Sequence, residues 1–166
     1  MPDTSTEVAI ATTTLSSAAS TITFSSIGAG YTDLRLVVIG SMASGTGYWA
    51  FRLNADSGTN YSVTFLSGSG SAATSSRLTS NNAGFINFAN TIGTSITTGT
   101  LDIFNYAGST NKTALATFSG DENGSGYVER GVNLWRNTSA ITSLTLRTDT
   151  ANNFAIGTTA TLYGIL

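Results

Sequence analysis

An all-β fold, a single antiparallel β-sandwich, is what the sequence predicts, and three observations predict it. Short runs of alternating apolar and polar residues recur along the chain. Clusters of Gly, Ser, Asn and Asp separate them at the spacing of sandwich and barrel turns. No window carries apolar residues at helical spacing over three turns, and the chain has one Pro.

Taken in order, Val8 to Leu15 and Thr21 to Phe24 read as strands, before Ile27-Gly28-Ala29-Gly30 breaks the chain. Asp33 to Ile39 is the strongest central strand. Leu34, Leu36 and Val38 share one face, while Val37 and Ile39 occupy the other, so both faces are expected to be partly buried. In Tyr48 to Leu53, Trp49, Phe51 and Leu53 alternate with Tyr48 and Arg52. The segment Asn54-Ala55-Asp56-Ser57-Gly58 turns the chain into Tyr61 to Leu66. Residues 67–83, poor in apolar side chains, read as the longest loop. Strands resume at Gly84 to Phe88, Ser95 to Tyr106 and Lys112 to Ser119. After the Gly120 to Gly126 turn come Tyr127 to Trp135, Ala140 to Thr148 and Ala160 to Leu166. Nine or ten strands are expected. Periodicity leaves their order open among a jelly roll, an immunoglobulin-like sandwich and the sandwich of a carbohydrate-binding module.

Composition narrows the function classes. The 166 residues carry seven basic and nine acidic side chains, a formal charge of −2, and a single lysine, Lys112. A phosphate-neutralising surface needs a basic stripe that this chain lacks, so nucleic acid is not an expected partner. Charged residues make up only 10%, and roughly three residues in ten are Ser or Thr. With 40% hydrophobic residues, eight Phe, six Tyr and two Trp, the chain is nonetheless expected to fold. No apolar run is long enough for a membrane helix, and the first residues lack the charge and apolar pattern of a secretory leader.

With no His and no Cys, the Ser-His-Asp and Cys-His arrangements and Cys/His zinc sites are ruled out. Lys112 reads as part of a polar turn. Asp121 and Glu122 are adjacent in a Gly/Asn turn, which sends their side chains apart. The stretch Asp121 to Ser125 offers oxygens as the start of a calcium loop does, but lacks the later bidentate Glu. No catalytic residue, cofactor or metal is therefore expected. The four Asn-x-Ser/Thr triplets, at Asn60, Asn111, Asn123 and Asn137, read as turns. Tyr48, Tyr61, Tyr106 and Tyr127 lie near strand ends. There they either close the ends of the sandwich or offer rings to a sugar. Trp135 is expected in the core, with Arg136 free for a directional contact.

Five stretches carry a resemblance. They are Thr32 to Val38 (TDLRLVV), Phe51 to Ser62 (FRLNADSGTNYS), Asp102 to Thr110 (DIFNYAGST), Val132 to Leu146 (VNLWRNTSAITSLTL) and Ala160 to Leu166 (ATLYGIL). Together they resemble small virion proteins of tailed bacteriophages, of the kind found in phages of cyanobacteria and marine bacteria. The resemblance implies a jelly roll and a place in the virion as a capsid decoration or cement protein. It also implies that the partners are the major capsid protein and the chain itself, most often as a trimer. A tail or fibre component that binds a receptor or glycan is the alternative. Residues 1–20 are expected to be either a partner-gripping arm or an edge strand of the sandwich formed by 21–166. The expected partner contacts are Val8, Ile10, Leu15, Tyr48, Tyr106 and Arg136.

Overall fold

Alternation sets the architecture. In Asp33–Gly40 every second side chain is buried, and Leu34, Leu36 and Val38 are fully enclosed. A computed structural model describes residues 6–166, in which twelve strands and no helix occur. The strands are β1 (Glu7–Thr14), β2 (Thr21–Phe24), β3 (Asp33–Gly40), β4 (Trp49–Leu53), β5 (Tyr61–Gly68) and β6 (Ala73–Asn81). They continue with β7 (Gly84–Phe85), β8 (Thr97–Phe104), β9 (Lys112–Asp121), β10 (Gly126–Trp135), β11 (Leu144–Thr148) and β12 (Thr159–Ile165).

Two sheets form, with every strand pair antiparallel. One is β1-β12-β3-β8-β9-β10-β5-β6, the other β2-β11-β4-β7. Set aside the two hairpins β5-β6 and β9-β10, and eight strands remain in chain order. The first sheet then runs first, eighth, third, sixth, and the second runs second, seventh, fourth, fifth. That interleaving is the jelly roll. The two hairpins extend the first sheet outward from β8.

The core lies between the sheets. Ile22, Phe51 and Leu146 of the small sheet meet Leu36, Leu101, Phe118 and Leu162 of the large one. Each fully buried apolar side chain of this size contributes about 1.5–3 kcal/mol. Trp49 sits at the centre, edge-on to Phe118 at 5.7 Å. The extension curls over the small sheet at β7. There Val63 and Phe65 of β5 close a second cluster with Ala50, Ala83 and Phe85. Trp49 and Ala50 are thus buried on opposite faces of β4.

Residues 67–83 are not a loop. They contain the last part of β5 and all of β6, a nine-residue edge strand whose side chains are almost all exposed. Of its apolar side chains only Leu78 packs against the second cluster, which is why its apolar content is low. The outward face of β3 is also more open than expected, with Ile39 exposed.

The turn after β4 is built by its own side chains. Asn54 and Ala55 both have positive φ, 52° and 56°, and the Asp56 N–H donates to the Leu53 carbonyl at 3.0 Å. This is a type I′ turn, whose second central position favours glycine. Ala55→Gly is accordingly expected to raise stability by up to about 1 kcal/mol, read as a higher urea midpoint. Burial pushes the Asp56 carboxyl up, but hydrogen bonds from Trp135 Nε1, Asn60 and the Gly58 N–H outweigh it and hold the group below the ordinary carboxylate range.

Tyr61 closes the same corner, accepting the Leu53 N–H at 2.9 Å, and burial pushes its phenol up to about 12. The folded state holds this proton more tightly than the unfolded chain, whose tyrosines titrate near pH 10. The resulting stability is complete below pH 10 and is lost between about pH 10 and 12, where up to about 3 kcal/mol disappears. Tyr61→Phe is expected to flatten that alkaline decline relative to the parent in urea titrations across the window.

Candidate interaction surface

The outer face of the large sheet is left uncovered by the fold. Strand register sets side chains in rows across it. One row runs Thr12, Thr161, Val37, Thr100, Thr117, Arg130, Leu66, Ser75; the next carries Tyr163, Arg35, Asp102, Leu115, Val132, Thr64, Arg77. Threonines form the β1 side. Hydroxyl pairs cross the strands at Thr12–Thr161 (3.0 Å), Thr14–Thr159 (2.9 Å) and Thr98–Ser119 (3.0 Å). Arg35 bridges Asp102 at 2.6 Å and Glu7 at 3.4 Å. The hydrogen bond to Asp102 raises the arginine further above its ordinary value, against a smaller opposing effect of burial.

Toward β10 and β5 the face becomes apolar. Leu66, Val128 and Val132 point outward side by side there and are 46–62% exposed, while Ile39 on β3 and Phe104 on β8 stand apart from them on the same face, separated by Thr98, Ser119 and Thr113. Scattered exposed apolar residues are ordinary on a monomer, but a contiguous group on one flat face marks an interface.

The underside of β10 is polar and buried, and it fixes the platform. Glu129, 2% exposed, accepts the N–H groups of Phe88 (2.9 Å), Ala89 (3.1 Å) and Asn90 (2.7 Å). Its carboxylate also takes the Asn90 side-chain amide at 3.1 Å. Four residues on, Asn133 receives the Phe85 N–H at 2.9 Å and donates to the Phe85 carbonyl at 3.0 Å, imitating the strand that β7 lacks on that edge. Glu122 accepts the Gly93 N–H at 2.7 Å, and the Tyr127 hydroxyl donates to Thr91 O. Burial pushes Tyr127 up to about 12, with the charges of Glu122 and Glu129 adding to the shift.

The residues singled out from sequence are dispersed. Val8 and Ile10 lie half-buried on β1 and Leu15 just beyond it, with Ile10 and Leu15 packed on the core. The segment is the edge strand of the chain's own sheet: β1 pairs along β12, and Leu15 N–H donates to Thr158 O at 2.9 Å. Of the arm, residues 1–5 lie outside the described residues. Tyr106 is wholly buried, its hydroxyl donating to Gly28 O, so it offers neither a partner nor a sugar any surface. Tyr61 is enclosed in the same way. Tyr48 stacks on Phe88 at 5.1 Å, half-buried. Arg136 is exposed, and its guanidinium spans the carbonyls of Thr59 (2.9 Å) and Tyr61 (3.3 Å). None of these six lies among the exposed apolar residues of the outer face.

Lys112 is not in a turn but begins β9, 1% exposed, on the inner face. The Asp121 carboxylate accepts the Gly124 N–H at 2.7 Å, and no group of three His, Cys, Asp or Glu capable of holding a metal occurs among the described residues. Comparison with protein-family models, with curated proteins and with solved structures returns no match.

Proposed function

We propose that the chain is a non-enzymatic virion structural protein, a capsid decoration protein that seats on the assembled lattice through the outer face of its eight-stranded sheet. One observation carries this reading: three large apolar side chains, Leu66, Val128 and Val132, are gathered on that single uncovered face. Threonine hydroxyls surround them, and hydroxyls lose less on leaving water than carboxylates or ammonium groups do. The resemblance of five segments to phage virion proteins supports the location. Two features support the non-enzymatic part. The chain has no His or Cys, and the two buried charged side chains among the described residues, Lys112 and Glu129, are committed to backbone groups.

A homo-oligomer, a trimer in the first instance, suits a lattice, because weak contacts repeated by symmetry add up to firm attachment. Purified particles separated into heads and tails test the proposal, with the chain quantified by mass spectrometry. It is expected with the heads, in proportion to the major capsid protein. Its absence from particles would refute the virion reading, and recovery only with detached tails would refute the capsid location.

A further inference from the structure

On the outer face, four shallow depressions share residues end to end. Val128 joins the first to the second, Leu66 and Arg130 the second to the third, and Val132 the third to the fourth. They make one trough along β10 and β5, roughly 30 Å long at the rise of an extended strand. Its floor is apolar, and its two cations are Arg130 and Arg77.

These two arginines differ from the others. Arg35 and Arg147 hold carboxylates, while Arg52 and Arg136 hold backbone carbonyls. Neither Arg130 nor Arg77 has a hydrogen-bond or ion-pair partner among the described residues, and both are exposed. Glu129, adjacent to Arg130 in sequence, points to the opposite face of β10 and is filled by N–H donors. Asp121, which also lines the first depression at one end, is held by the Gly124 N–H, so the rest of the trough is apolar and positively charged in a chain whose net charge is −2.

We propose that an extended, acidic segment of another polypeptide crosses this trough obliquely, with one carboxylate on Arg130 and a second on Arg77. The proposal rests on the reading of the outer face as a docking surface and gives that partner its chemistry. The spacing follows from the register. Arg130 lies opposite Leu66, and Arg77 opposite Thr64, so the two stand two strands and two residues apart. At about 4.8 Å per strand and 3.4 Å per residue that is roughly 12 Å. An extended chain covers this distance in about four residues, and residues i, i+2 and i+4 face the same side. The recognised pattern is acid, any, apolar, any, acid, with the apolar side chain settling over Leu66 and Val132. Paired guanidinium–carboxylate contacts in register select for charge at both ends.

A fluorescent, end-blocked decapeptide with Glu-Thr-Val-Thr-Glu at its centre is the probe, and its twin with Gln for both Glu is the control. At low salt the acidic peptide is expected to bind the whole protein and to weaken as salt is raised. Arg130→Gln and Arg77→Gln are each expected to weaken it about tenfold, with unchanged urea midpoints because both side chains are exposed. The Gln peptide is expected to bind parent and variants equally poorly. Equal binding of both peptides, or none at about 1 mM, overturns the proposal. So does self-association of the protein that Arg130→Gln abolishes, since the occupant is then a second copy. If the peptides fail while Val132→Asp still removes the protein from particles, the docking surface stands and the acidic segment alone is refuted.

Discussion

Glu129→Ala is expected to lower stability by about 3–5 kcal/mol, a large part of the total for a domain of this size. The carboxylate satisfies three consecutive backbone N–H groups, of Phe88, Ala89 and Asn90, and the Asn90 amide, all within 3.1 Å. Alanine leaves those donors without acceptors, and each buried orphan costs about 1–3 kcal/mol. Glu129→Gln keeps one oxygen but turns an amide toward N–H groups, so an intermediate loss is expected. Urea unfolding measures both, and hydrogen exchange at residues 88–90 locates the effect. Arg130→Gln, one residue away on the open face, is the control and is expected to change little. An alanine variant within about 0.5 kcal/mol of the parent would show that this segment is held by other contacts.

Lys112→Ala is the second large effect, expected at about 2–4 kcal/mol. Its ammonium donates to the carbonyls of Gly108 (2.7 Å), Thr110 (2.6 Å) and Thr138 (3.3 Å), tying the turn after β8 to the one after β10. No carboxylate among the described residues is bonded to it, and burial lowers its pKa from the ordinary 10.5. Alanine removes both the packed stem and the donor, whereas Lys112→Met keeps the stem and isolates the loss of the donor. The pH dependence has a definite sign. The folded chain holds this proton less tightly than the unfolded chain, so the lysine's contribution to stability rises with pH between its folded value and 10.5. Lys112→Met is expected to lose that rise, and the difference between the two proteins isolates it from the tyrosines.

Both residues were within reach of the sequence through parity. Trp135 faces the core, so Asn133, Gly131 and Glu129 share its side of β10; Lys112 likewise shares a face with Ala114, Ala116 and Phe118. Charge obscured the pattern, because an isolated Glu or Lys in a polar chain reads as solvated. Strands with one clearly apolar face, such as β2, β3 and β9, were legible almost to the residue. Strand β6 was not, because a serine-rich edge that packs little more than Leu78 leaves no alternation to detect. The outer face misled in the opposite direction. Val37 and Ile39 suggested a second, partly buried side; Val37 is half-buried there, but Ile39 stands exposed. Strand order came only with the structure, since pairing between residues more than a hundred positions apart, as in β1 with β12, has no local signature.

Rebinding to particles tests the central claim most directly. Particles stripped of the protein would be titrated with the parent, with Val132→Asp and with Thr23→Asp. Thr23 is an exposed residue on the small sheet, and all three proteins would first be shown to share a urea midpoint. The outer-face account predicts that Val132→Asp weakens rebinding at least tenfold while Thr23→Asp rebinds like the parent. Rebinding of Val132→Asp at parental affinity, or loss only with Thr23→Asp, would contradict it.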